Sequence, residues 1–408
     1  MWFTTPTVPA PAVRVQPIPF IGFSSAGTES GSGSLSGPRL FDGPSFVLRV
    51  LSMNSDISVS RDEGPLRIGV RVPPCDRADR VARAVRRAEE LGFDQVWFPD
   101  SQLLWRDVFT TLTAAAFATE RIGLGTAVTN LATRHPSVVA SAARSIAELA
   151  PGRFTLGLGV GNSSVAPVGL RQTGSAELRE GLSMLRALLD GRDWDFEGKI
   201  RSRLRDPQPS VPLHLAASGP RNLRLAGEIA DGVILLSGVS PRTLAAATAR
   251  VREGAESAGR NAERLPVTVS AFCAVTDDIE AEARRIKPIC ASIAQNGGAS
   301  FLALAGIDVD VPATVEGVYP DLVHAEDWDE AVRICSAWIS DEAAVRFAEE
   351  FCLIGTAAQI TQRLRTLREL GVTDVFLQHV GSYDLPTDLI ETVGASVLPA
   401  LRSGALRG

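Results

Sequence analysis

A chain of 408 residues, 45% hydrophobic and 22% charged, has globular composition and room for one large core or two modest ones, which excludes disorder throughout. A formal net charge of -6 excludes nucleic acid as a partner, because a surface that tracks phosphates needs a basic face to release counterions. Five cysteines without a C-x-x-C pair or metal-ligand spacing, no long uncharged apolar run and no basic-then-apolar leader predict a cytoplasmic protein with no metal and no membrane span.

Residues 1–64 are rich in Pro, Gly and Ser and show neither helical nor strand periodicity, so a disordered tail is expected there. Met53 stands just before the folded part, so an over-long reading frame is a plain alternative for that tail. From Leu66 onward short apolar runs alternate with amphipathic helices, the signature of βαβ units and a parallel sheet. The expected strands are LRIGVRV, DQVWFP, RIGLGTAVT, RFTLGLGV, PLHLAA, GVILL, PVTVSAFCAV and TDVFLQ. Between them apolar residues recur at helical spacing: Val81, Val85, Ala88 and Leu91; Val139, Ala142, Ile146 and Leu149; Leu178, Leu182, Leu185 and Leu189; Ile360, Leu364, Leu367 and Leu370.

Eight such alternations over about 340 residues predict an α/β protein, a single closed (β/α)8 TIM barrel, with one domain over 65–408. Segment 278–350 is too long for one crossover helix. It reads as an insertion after the seventh strand that folds over the barrel mouth as a lid, or equally as an oligomer contact or extra helix pair.

In a parallel barrel the chemistry lies on the loops that follow the strands. That filter leaves Arg71, Asp100, Ser101, Thr129, Asn130, Gly161, Asn162 and Ser218 to Arg221. In GLGVGN the glycines at 157, 159 and 161 alternate along the fourth strand, so bare backbone could admit a planar ring or a phosphate; equally, glycines there could relieve crowding inside the barrel. A dinucleotide fingerprint fails, because Asn162, Ser163 and Ser164 follow Gly161 with no third glycine opening a helix. Ser218-Gly219-Pro220 leads from a strand into a helix whose free N–H groups, with Arg221 nearby, make either an anion site or an ordinary capped turn. Of the four histidines only His379 is expected near the mouth, and no Ser-His-Asp, Cys-His or H-E-x-x-H constellation exists. A phosphate cradle and open floor without an obvious acid, base or metal suit a redox cofactor, which carries the hard step itself.

The segments WFPDS, RDVFTTLT, AVTNLATRHPSVVASAARSIAE, GRFTLGLGVGN and LHLAASGPRNLRLAGEIADGVIL resemble the luciferase-like superfamily. They are most similar to the F420-dependent methylenetetrahydromethanopterin reductases and their actinobacterial relatives, from about Leu66 to Gly381 and more weakly in the insertion. The resemblance implies the deazaflavin coenzyme F420 and a non-prolyl cis peptide between Ala127 and Val128. It implies a ring pocket at Asp100, Ser101, Thr129 and Asn130, and a phosphate tail held by Gly159, Val160, Gly161 and Asn162 and by Ala217, Ser218, Gly219, Pro220 and Arg221.

It also implies hydride transfer to or from a small organic substrate, with Asp100 orienting the ring edge, Asn130 bonding its carbonyl groups and a homodimer formed through barrel helices. Two positions depart from the reductase pattern: Arg71 stands where it has a glutamate, and Ser101 where it has a histidine. The departure implies a different electrophile, with an anionic group that Arg71 steers. An FMN-dependent monooxygenase and a non-catalytic cofactor-binding barrel are the alternatives.

Overall fold

The computed structural model describes residues 64–206, 211–381 and 383–405, which belong to a compact unit starting at Ser58. The tail expected over 1–64 lies, up to residue 63, outside the described residues. Eight parallel strands alternate with helices: β1 (Arg67–Arg71), α1 (Ala78–Glu90), β2 (Gln95–Phe98), α2 (Val108–Ala118), β3 (Gly123–Thr126), α3 (Pro136–Leu149), β4 (Phe154–Gly159) and α4 (Ser175–Leu189). They continue with β5 (Leu213–Ala217), α5 (Pro220–Ile229), β6 (Gly232–Leu235), α6 (Pro241–Ser257), β7 (Val267–Val275), α7 (Ala357–Glu369) and β8 (Asp374–Gln378). Each strand pairs with the next, and β8 pairs with β1, so the sheet closes into the expected barrel.

Alternate strand residues point outward to the helices and inward to the barrel axis. The outward set, including Val70, Val96, Phe98, Leu124, Leu156, Leu158, Leu215, Val233, Val269 and Val375, joins the buried stripes of the helices in one core. The expected stripes are the buried faces, except that Leu149 and Leu370, in or just past the last helical turn, reach the surface.

Inside the barrel a few large groups face strands that carry no side chain. Trp97 stacks at 5.5 Å on Phe376 and lies 6.3 Å from His214. A Cβ on Gly125 would stand 2.6 Å from the Trp97 ring, and one on Gly232 would stand 2.6 Å from His214. Below them the buried Asp374 accepts from Gln95 Nε2 at 2.8 Å and pairs with Arg67 at 2.8 Å, while Trp97 Nε1 donates to Gln95 at 3.0 Å. Asp374, Gln95 and the Trp97 N–H are tolerated this deep because each has a partner, whereas His214 Nδ1 has none among the described residues.

Three elements differ from the sequence reading. The third strand does not run through RIGLGTAVT: it stops at Thr126, turns through a cis Ala127–Val128 bond and resumes as Thr129–Asn130 beside Leu158 and Gly159. A hairpin, Trp194–Phe196 with Ile200–Ser202, follows α4, its turn made by Glu197 and Gly198, both at positive φ. Segment 278–350 holds helices Ile279–Arg285, Lys287–Ile293, Ala299–Leu304, Trp328–Cys335 and most of Asp341–Phe351, and is followed by a short strand, Leu353–Gly355, that extends the sheet beside the end of β7.

Gly157 carries a sharp packing constraint, since a Cβ there would stand 2.0 Å from the Thr126 carbonyl oxygen, an atom of the backbone. Gly157→Ala is expected to cost about 3 kcal/mol or more, against less than about 0.5 kcal/mol for Gly174→Ala, whose Cβ would meet Glu177 at an ordinary 3.5 Å; urea unfolding of both variants checks this.

His214 supplies a second prediction, because burial pushes its pKa down to about 4 against a weaker upward pull from Asp374. The unfolded chain therefore binds the proton more tightly, and the stability held by the neutral ring is complete above about pH 6.5 and lost as pH falls toward 4. Between pH 7 and pH 5 the wild type should lose about 2 kcal/mol more than His214→Asn in paired unfolding curves.

Candidate functional site

At the C-terminal ends of the strands the interior is not filled, leaving a cavity of about 330 Å³, within the range of small-molecule sites. Its floor is apolar: Phe376, Ile234, Ala216, Ala127 and Val128 lie on the cluster built around Trp97. The walls are strand ends and the loops that follow them, and the roof comes from the insertion through Ile289, Ser292, Ile293, Asn296, Gly298, Val323 and His324.

Gly159 and Gly161 line the cavity, but crowding requires each of them. A Cβ on Gly159 would stand 2.7 Å from Val128 Cγ2, and one on Gly161, at φ +79°, 2.7 Å from Val165. With Gly157 they let the broken third strand press against the fourth, so packing explains the alternation that the sequence offered as an open floor. The flat floor is Val128 and its neighbours.

The loops after β2 and β4 are tied together. Ser101 Oγ lies 2.7 Å from Ser163 Oγ, and Gln102 Nε2 donates to the Ser164 carbonyl at 2.8 Å. Asp100, Ser101, Val160 and Asn162 border the cavity. Asp100 is buried, accepts from Thr129 Oγ1 at 2.7 Å and pairs with Arg134, which reaches Asp107 at 2.8 Å. Burial raises the Asp100 carboxyl above its usual range, and Arg134 only partly opposes this. Thr129 and Asn130 are wholly inside the wall: Asn130 Oδ1 accepts from the N–H groups of Ala132 and Thr133, and its Nδ2 donates to Ser164 at 3.0 Å. The Asn130 side chain therefore braces two loops rather than facing the cavity.

At β5, Ala217, Ser218 and Asn222 border the cavity, whereas Gly219, Pro220 and Arg221 lie beside it. A Cβ on Gly219 would meet nothing within 4 Å. Among the described residues the Arg221 and Asn222 N–H groups find no acceptor, so the positive end of α5 opens toward the cavity with unsatisfied donors.

Across the cavity stands Arg71, buried, with no acid within 4 Å among the described residues and its guanidinium 5.2 Å from the centre of the Trp105 ring. Burial lowers its pKa to about 10, partly offset by Asp321. The histidine at the cavity is His324, not the expected His379, which does not border it and whose pKa burial and Arg71 push down to about 4. Trp105, Asn222 and His324 were not singled out from the sequence. Only the reading of the insertion as a lid pointed toward His324, and no local motif marked Trp105. No group of three or more His, Cys, Asp or Glu side chains able to hold a metal occurs among the described residues.

Comparison with known proteins adds a family. The luciferase-like monooxygenase family profile matches residues 57–374. The chain is 28% identical over 316 residues to a 5,10-methylenetetrahydromethanopterin reductase of Methanolobus tindarius, covering 75% of this chain and 92% of the relative. It is 35% identical over 228 residues to an F420-dependent glucose-6-phosphate dehydrogenase of Nakamurella multipartita, covering 49% and 65% of the two. A coenzyme F420-dependent tetrahydromethanopterin reductase structure from Methanopyrus kandleri superposes with a TM-score of 0.64 at 23% identity, covering 83% of this chain and all of that one.

The Asp100–Arg134 pair should respond asymmetrically. Arg134→Ala leaves a buried carboxylate uncompensated and is expected to cost about 3 kcal/mol at pH 7. Asp100→Asn leaves Arg134 its second partner, Asp107, and is expected to cost less than about 1 kcal/mol. Lowering the pH neutralises Asp100, so the Arg134→Ala deficit should shrink in acid, read by unfolding curves at pH 7 and 4.5.

Proposed function

The chain belongs to the luciferase-like monooxygenase family, a family of enzymes, and from that premise we propose that it is a coenzyme F420-dependent oxidoreductase acting on a small anionic organic substrate. One observation carries the reading: the apolar floor at Val128 and Phe376, the loop after β4 and the open N-terminus of α5 meet at a single cavity. A planar ring fits the floor, and an anionic tail fits the unsatisfied N–H groups of Arg221 and Asn222 beside Ser218. The relatives named for F420-dependent enzymes support the choice of deazaflavin.

When bound, the coenzyme supplies or accepts a hydride. The protein's part is then position and exclusion of water. Ala127, Val128, Gly159 and Ser218 would hold the coenzyme, with Asp100, Thr129 and Asn130 keeping the wall behind it rigid. Arg71, a desolvated cation without a partner, would take the substrate's anionic group, and the roof residues Ile289 and Ile293 would keep water out. The reading also includes a homodimer packed through α2 and α3, which expose Phe117 and Val138, and a reducing, cytoplasmic setting for five free thiols. Among the described residues no helix is long and apolar enough to cross a membrane.

The test titrates purified protein with coenzyme F420 and with FMN. It then offers reduced F420 with a panel of small aldehydes, ketones, imines and enones, each with and without a carboxylate or phosphate. Micromolar F420 binding, weakened about tenfold or more by Ser218→Glu, and turnover that favours the anionic members of the panel are the expected results. Arg71→Ala should raise KM for those members by about 100-fold. Tight FMN binding with oxygen uptake and no F420 binding would overturn the proposal in favour of a flavin monooxygenase; F420 binding without any turnover would leave a cofactor-binding barrel.

A further inference from the structure

We propose that Asp321 and His324, both from the insertion, form a proton-transfer dyad for this site, with His324 Nε2 giving a proton to, or taking one from, the substrate heteroatom. The inference rests on the oxidoreductase reading above and adds the component that reading lacks: a group able to move a proton at the cavity.

Its geometry is specific. Both Asp321 carboxylate oxygens lie 2.9 Å from His324 Nδ1, and the same carboxylate accepts from the His324 and Val323 backbone N–H groups, so the turn from 321 to 324 is closed upon itself. A carboxylate at Nδ1 keeps the proton on that nitrogen and leaves the lone pair, or a second proton, on Nε2. His324 is 6% exposed and borders the cavity, yet its Nε2 is buried with no hydrogen-bond partner. A buried polar atom left unsatisfied on a residue that borders the cavity calls for a partner, which the substrate heteroatom would supply.

The ring is clamped as well as polarised. Trp105 meets it edge-on at 5.1 Å, and Tyr383 donates to the His324 carbonyl oxygen at 3.0 Å. The charged and titratable groups around it are Asp321 and Tyr383, which bond to His324, and Arg71, Glu326 and Tyr319, which interact with those two. Arg71 and His324 both pack against Trp105 and border the same cavity. A substrate whose anionic group meets Arg71 would therefore reach toward His324.

The step balances. In reduction the coenzyme would supply a hydride to the substrate carbon as the π bond of C=O or C=N breaks, and the electron pair released would take a proton from Nε2 of a doubly protonated His324. The imidazole is left neutral with Nδ1–H still bonded to Asp321, and solvent restores the proton. In oxidation each transfer reverses.

The test joins a measurement without ligand to one with turnover. Nitrogen-15 NMR of the ligand-free protein should show His324 Nδ1 protonated and hydrogen-bonded, a signature that Asp321→Ala should remove. With the most active carbonyl compound from the panel, His324→Ala should lower kcat by about 100-fold or more while F420 affinity stays within about threefold, and added imidazole should restore part of the rate. Asp321→Ala should fall in between. An unprotonated Nδ1 in the wild type, or a His324→Ala enzyme with kcat within about threefold of wild type, would overturn the dyad while the oxidoreductase reading stands. A wild type that binds F420 and turns over nothing removes both.

Discussion

The interior of this barrel is narrow, and everything functional follows from how that narrowness is resolved. Eight strands leave space for only a few large side chains, and each of those needs a neighbouring strand without a Cβ. Trp97 and His214 fill the lower part against Gly125 and Gly232. The same device repeats higher up in a different form, with Gly157 and Gly159 yielding to the Thr126 carbonyl and Val128. The bulge at Ala127 and Val128 is thereby brought inward to become the floor. Above that level the strands contribute Arg71, Phe272 and Gln378 to the walls without filling the centre, so the cavity is the part of the barrel that the packing leaves empty.

Charge is distributed by the same geometry. At the closed end, Asp374 meets Arg67 and Gln95, and the cost of burial is offset by partners within the wall. At the open end, Asp100 is matched by Arg134, whereas Arg71 is left with an aromatic face and a distant carboxylate. An unpaired cation beneath a roof is an expensive arrangement for stability alone. It becomes favourable when an anion enters, which is why Arg71 reads as a substrate group and Arg67, equally cationic, as a structural one.

The eight strands were legible because the short apolar runs were clean and their spacing was regular, and the helices because their apolar stripes were. The break in the third strand was legible only through resemblance, since AVTN carries no local signal for a cis bond. The role of the glycines was misweighted for a physical reason: sequence shows that a position lacks a side chain, not which neighbour takes the room. Asn130 is similar, for its polarity was visible but its four partners, all supplied by the loops after β3 and β4, were not. His324 and Trp105 were out of reach because each is placed by a long irregular segment whose path depends on contacts distant in sequence.

That last point bears on how such a site changes its chemistry. Arg71 closes the first strand and Ser101 sits in the loop after the second, and neither side chain exchanges a proton near neutrality. Strand ends are held by the ladder on both sides, so a new acid or base could be introduced there only by substitution in place. The insertion is under no such constraint: its turn from Asp321 to His324 is closed by its own hydrogen bonds and meets the barrel mainly through Trp105 and Tyr383. A barrel whose first strand ends in an arginine can therefore draw proton transfer from its roof without disturbing the packing that makes the floor.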